Sequence, residues 1–127
     1  MRILLDTHVF LWAVTDDVRL SAAHRSLYVD EAHDFYLSVA SVWEIVIKAG
    51  LRKLPIPTPA AEYVVRQMEK NRVAMLGIQA RHLARLEGLA PVHRDPFARM
   101  LVAQALAEGM PMMTVDPAVG RYGVEVL

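Results

Sequence analysis

Cysteine is absent from the 127 residues, which removes disulfides and thiolate chemistry and fits a cytoplasmic setting. A net charge is missing too, since 14 Lys and Arg balance 14 Asp and Glu. Bulk electrostatics therefore give nucleic-acid binding no support, and any such role needs a local basic patch. No apolar run approaches the roughly 20 residues of a membrane helix, and no basic segment leads into a signal-like apolar stretch. The expectation is a soluble protein without membrane contact. Glycine numbers six and forms no phosphate-cradling loop, and no Ser-His-Asp arrangement competes for a site. Repeats, low-complexity tracts and linkers are also lacking, so residues 1–127 read as one domain.

What is present is apolar material for a modest core: 54% hydrophobic residues and a mean hydropathy of +0.25. Ile3, Leu4 and Leu5 run without alternation, as in a strand buried on both faces of a parallel sheet. Asp6 ends that run and admits two readings, a helix cap or an acid at the ligand-binding edge of the sheet. Val9 to Val14 is a short buried helix, broken by Asp16 and Asp17. Ser21 opens a helix over Ala22 to Val29, and Asp30, Glu31 and Asp34 read as a solvated loop. Phe35 to Val39 is a second strand.

Ser41 to Ala49 reads as a helix, with a Ser41/Glu44 capping box and Gly50 at its C-terminus. Val42, Ile45, Val46 and Ala49 should form its buried face. Pro55, Pro57 and Pro59 make an extended connection, and Thr58 should cap the next helix, to about Asn71. Val73 to Ile78 is a third strand and Gln79 to Glu87 a short helix, with His82 a packing or surface residue. Asp95-Pro96 starts a helix that Gly109 ends, with Phe97, Met100, Leu101 and Ala105 inward. Met112 to Thr114 is a fourth strand and Val124 to Leu127 a fifth, at the edge. Strands alternating with helices imply a parallel sheet with right-handed crossovers. Met100, Met110, Met112 and Met113 read as core filling.

Asp6 and Asp116 then follow strands one and four, and Glu44 lies early in the helix after strand two. In a sheet winding outward from strand one, these acids approach one another at the switch point. Each also has a local account: a cap, half of a capping box, a turn residue before proline. Clustered carboxylates repel unless a cation neutralises them, and an all-oxygen site suits Mg²⁺ or Mn²⁺. Such an ion activates water for phosphodiester hydrolysis.

On these residues the chain resembles the PIN-domain ribonucleases, and closely the VapC-type toxins of bacterial toxin–antitoxin pairs. The carrying stretches are Leu4-Leu5-Asp6-Thr7-His8, Ser41-Val42-Trp43-Glu44-Ile45, His93-Arg94-Asp95-Pro96-Phe97 and Thr114-Val115-Asp116, in the family's order across nearly the whole chain. The resemblance implies a three-layer α/β/α sandwich, an α/β fold around a central, mainly parallel five-stranded sheet. It implies Mg²⁺- or Mn²⁺-dependent cleavage of RNA, with Asp6, Glu44 and Asp116 holding the metal and its water, and Thr114 ordering the site. It also implies a homodimer and a cognate small antitoxin whose tail covers the groove. Trp12, Trp43, Phe10 and Tyr63 offer apolar surface for a partner or for the core.

One position departs from the pattern. Close relatives read Asp-Pro-Phe-Asp-Arg where this chain has Asp95-Pro96-Phe97-Ala98-Arg99, so the family's carboxylate is vacated at Ala98. Asp95 supports the site as a helix cap, without being assumed to substitute. An engineered inactivation and a natural variant both account for the alanine, and either predicts reduced or lost activity. Lys48, Arg52, Lys53, Arg94, Arg99 and Arg121 are the cations available for RNA phosphates. The competing readings are a metal-dependent nuclease acting on DNA and a catalytically silent interaction module of the same fold.

Overall fold

Arg2–Leu5 form β1, and their side chains alternate between two cores (Arg2 excepted, which is exposed). Ile3 and Leu5 enter one cluster and Leu4 the other, so this strand is buried on both faces. The computed structural model describes residues 1–127. Three further strands, β2 (Asp34–Ser38), β3 (Val73–Leu76) and β4 (Met112–Met113), pair parallel in the order β3-β2-β1-β4. Leu4 stands opposite Tyr36 of β2 and Met112 of β4, which makes β1 the centre from which the chain winds both ways.

Helices cover both faces. On one side α1 (Thr7–Val14), α2 (Ala22–Tyr28), α3 (Val39–Gly50) and α4 (Ala60–Lys70) pack over Ile3, Leu5, Leu37 and Met113. On the other, α6 (Pro96–Glu108) and α7 (Pro117–Gly120) lie over Leu4, Leu76 and Met112, and α5 (Ala80–Glu87) packs on α6. This is the expected three-layer α/β/α sandwich. No helix is long and apolar enough to cross a membrane.

The sheet has four strands rather than five. Residues near the C-terminus make only one parallel bridge, Met112 to Val126, with Met112 N–H donating to Glu125 and Leu127 N–H to the Met112 carbonyl. β4 offers just two residues to pair with, Met112 and Met113, and the hydroxyl of Thr114 beyond them donates to Asp6.

The first turn of α3 also differs from the sequence expectation. Ser38 is its N-cap, accepting from the Ala40 N–H at 3.0 Å, so the helix starts at Val39 and no Ser41/Glu44 capping box forms. The buried face differs as well: Ala40, Ser41, Glu44 and Ile45 are inside, while Val46 is 40% exposed. Asp34 opens β2 instead of lying in a loop. Thr58 makes no cap, since Pro59 precedes α4 without a side-chain hydrogen bond. Along α6 burial extends through five consecutive residues, Leu101 to Ala105, while Phe97 and Met100 are only partly covered. Both ends of α6 follow expectation: Asp95 caps it, and Gly109 leaves it at φ 65°.

Candidate active site

All four strands are parallel, so their carboxyl ends share one edge, and the acids of the sequence reading gather there. Asp6 follows β1 and caps α1, its Oδ1 accepting the Thr7 N–H at 2.7 Å. Asp116 follows β4 and caps α7, its Oδ1 accepting the Ala118 N–H at 2.9 Å. Glu44 projects from the buried side of α3. Capping does not withdraw Asp6 or Asp116 from the cavity at this edge; each carboxylate caps a helix and lines that cavity.

Two threonines join these acids into one hydrogen-bonded chain. Thr7 is buried, with its Oγ1 2.9 Å from Glu44 Oε1 and 2.8 Å from Ser41 Oγ. The hydroxyl has one proton, which belongs on the carboxylate, leaving the Thr7 oxygen to accept from Ser41. Thr114 donates to Asp6 Oδ2 at 2.6 Å and accepts the Asp116 N–H at 3.0 Å. The chain is closed at each end by a base. Lys48 Nζ lies 2.5 Å from Glu44 Oε2, one helical turn on. His93 Nε2 lies 2.7 Å from Asp116 Oδ2. His93 Nδ1 accepts the Asp95 N–H at 3.0 Å, so the ring proton sits on Nε2 and is donated to Asp116.

Burial pushes the Asp6 carboxyl above its usual range, outweighing the hydrogen bonds from Thr114 and Thr7 and the nearby charge of His8. The negative charge of Glu44 pushes it the same way. A partly desolvated carboxylate beside a second one is a place where added positive charge is favourable. These acids line a cavity of about 370 Å³, together with Asp95, Lys48 and His93. His8, Trp12 and Ala98 complete much of its wall.

No three Asp, Glu or His side chains close into a ready cage for an ion. The donor set nevertheless fits Mg²⁺ or Mn²⁺. Mg²⁺ takes one or two protein carboxylates and keeps several of its waters, which this cavity has room for. Asp6 and Asp116, tied through Thr114, and Glu44, tied through Thr7, are the hard oxygen donors that would hold it.

The cations expected near RNA are placed less favourably. Only Lys48 lines the cavity. Arg99 is turned toward the Ala90 and Leu89 carbonyls and the Tyr122 hydroxyl, at 2.9, 3.4 and 3.3 Å. Arg52, Lys53, Arg94 and Arg121 are exposed and outside the cavity wall. Sequence reasoning missed Thr7 and the role of His93. Thr7 next to Asp6 looks like the ordinary first residue of a helix, and nothing local to His93 shows that its ring meets Asp116, 23 residues away.

Residues 3–125 match the PIN domain family. A relative in Mycobacterium tuberculosis strain ATCC 25618 / H37Rv, ribonuclease VapC16, is 38% identical over 99 residues, which are 78% of this chain and 57% of that protein. The chain thus spans little more than half of that relative's length. Among solved structures, VapBC2 from Rickettsia felis, bound to a DNA fragment from its promoter, aligns with a TM-score of 0.71 at 13% identity, covering 100% of this chain and 98% of that one. VapBC-1 from nontypeable Haemophilus influenzae gives 0.73 at 12%, covering 100% and 97%. FitAcB from Neisseria gonorrhoeae gives 0.65 at 16%, covering 98% and 96%. At these identities the structural likeness establishes the fold.

Proposed function

The chain belongs to the PIN domain family, and from that premise we propose that it is the toxin of a toxin–antitoxin pair, a cytoplasmic Mg²⁺- or Mn²⁺-dependent endoribonuclease. The observation that carries this reading is the unbroken series Lys48–Glu44–Thr7–Asp6–Thr114–Asp116–His93 along the carboxyl edge of the sheet. A purely structural set of caps has no need to be joined across α1, α3 and the segment after β4. The 38% identity to a named ribonuclease supports the same activity.

In this reading Asp6, Glu44 and Asp116 hold the cation, which when bound supplies an activated water and neutralises charge on the phosphodiester. Thr7 and Thr114 fix the carboxylate orientations, and His93 holds Asp116 by its Nε2 proton. Lys48 compensates Glu44 and is the cation nearest to an arriving phosphate. Asp95 orients His93 and caps α6, whose first turn carries Ala98 into the cavity. The antitoxin and a second copy of the chain are the proposed protein partners. Supporting a protein partner, α3 leaves Val39, Trp43, Val46 and Ile47 exposed along its outer side, with Trp43 at 60%.

Ala98 favours a second reading, a PIN fold that binds its partner without cutting RNA, because a methyl lines the cavity where the family resemblance implies a carboxylate. Metal-dependent RNA cleavage by the parent chain separates the two, and Ala98→Asp tests whether the methyl limits it. With Mg²⁺ present, the substitution should raise RNA cleavage about tenfold or more, the scale on which a metal site responds to a lost supporting group. Chelation should abolish the gain. Equal cleavage by both proteins would remove position 98 from the mechanism. Absence of metal-dependent cleavage in the aspartate variant would leave the silent module.

A further inference from the structure

A second cavity of about 300 Å³ opens beside the acidic one, and His8 and Trp12 line both. These residues stand one turn apart on α1, with ring centroids 6.2 Å from each other. Across from them lie Leu54, Pro55 and Ile56, from the segment after α3. The character of the wall changes between the two spaces. Carboxylates dominate the first, whereas the second has a single acid, Asp17, already matched by Arg19. Arg19 Nε and Nη2 reach Asp17 Oδ1 and Oδ2 at 3.1 and 2.7 Å. The same guanidinium lies over the Trp12 ring, 5.3 Å from its centroid.

We infer that this second cavity is a subsite for one unpaired base of single-stranded RNA, held against the Trp12 ring with the His8 ring inclined at 45° beside it, and with the Nη1 donors of Arg19, which Asp17 leaves unused, available to the adjoining phosphate. The inference rests on the nuclease reading, since it places the base next to the phosphate handled by the acids. Three features favour a nucleotide. An aromatic ring accepts the face of any base, the Arg19 guanidinium keeps donors beyond the two it gives Asp17, and the shared His8 and Trp12 set the two cavities side by side. A hydrophobic anchor from a protein would meet an ion pair and an imidazole on the same wall.

The test is fluorescence anisotropy of a labelled single-stranded RNA decamer with the full chain, Ca²⁺ replacing Mg²⁺. Trp12→Leu should weaken binding about fivefold or more, the lower end for loss of one stacked base. Trp12→Phe should recover most of the affinity, and His8→Ala should also weaken it. An abasic substitution scanned along the decamer should cost the parent chain affinity at one position and cost Trp12→Leu nothing further there. Abasic substitutions at the other positions should cost both chains alike, a pattern that a poorly folded Trp12→Leu could not give. Thermal stabilisation of the parent chain by Mg²⁺ reports the acidic site separately. Unchanged RNA affinity in Trp12→Leu and His8→Ala, with that stabilisation intact, would overturn the subsite alone and leave the cavity to a protein. Failure of the parent chain both to bind RNA and to be stabilised by Mg²⁺ would overturn the nuclease reading, and the subsite with it.

Discussion

Thr7 shows how much one side chain can decide. It is 3% exposed, and its hydroxyl is the link between Glu44 and the rest of the acidic chain. Replacing it with valine keeps the shape but leaves a buried carboxylate one donor short. Thr7→Val should lose about 1.5–3 kcal/mol of unfolding free energy in urea titrations, the usual range for a hydrogen bond to a charged group. Thr7→Ser should lose much less. His93 acts at the other end without burying itself as deeply. Its Nε2 proton holds Asp116 Oδ2, so His93→Leu should weaken Mn²⁺ affinity about 10- to 100-fold by calorimetry. An unchanged affinity would confine His93 to shaping the loop before α6. Neither role is legible from residue type: threonine after aspartate and histidine before Arg-Asp-Pro have ordinary local explanations.

Helix ends were partly legible, and two glycines separate what was from what was not. Gly109 follows α6 at φ 65°, a left-handed conformation that disfavours any Cβ. Gly109→Ala should therefore destabilise by about 1–2 kcal/mol, although no heavy atom would meet the new methyl within 4 Å. Gly50 was read as the same kind of terminus, yet it is the last residue of α3 without positive φ. Gly50→Ala should stabilise by about 0.5–1 kcal/mol, through lower backbone entropy in the unfolded chain. Opposite signs in thermal or denaturant melts check both assignments together. The start of α6 was clear because Asp-Pro specifies cap and first residue at once. The start of α3 was not, because Ser38 and Ser41 both suit a cap and only the end of β2 chooses between them. A buried helix such as α6 also conceals which way it faces, since apolar residues occur all round it.

Across the whole molecule, the sheet and the α5–α6 layer are pinned by a group far from the cavity. The Glu108 side chain is 8% exposed and is met by Arg81, by His82 Nε2 at 3.1 Å and by Arg2 of β1 at 3.9 Å. Burial works to raise its carboxyl pKa, but the His82 hydrogen bond and the Arg81 charge together hold it below the usual range. A lowered folded-state value means the unfolded chain takes up its proton first. The stabilisation is therefore present above the ordinary carboxylate pKa and disappears as pH falls through the lowered one. Melting temperatures measured from pH 7 down to pH 3 should drop less steeply in Glu108→Gln than in the parent chain; parallel curves would assign the acid sensitivity elsewhere. Sequence alone determined the layered α/β order, the parallel strands, the adjacency of the first and fourth strands, and which acids lie at the strand ends. Those follow from hydrophobic period, turn residues and the handedness of crossovers, all of them local or nearly so. Only the tertiary structure decided that the C-terminal stretch pairs too briefly to be a strand. It alone decided that Thr7 joins Glu44 to the acidic chain and that His93 reaches Asp116. Hydrogen bonds between side chains distant in the chain depend on where separate elements dock, and no periodicity within a segment records that.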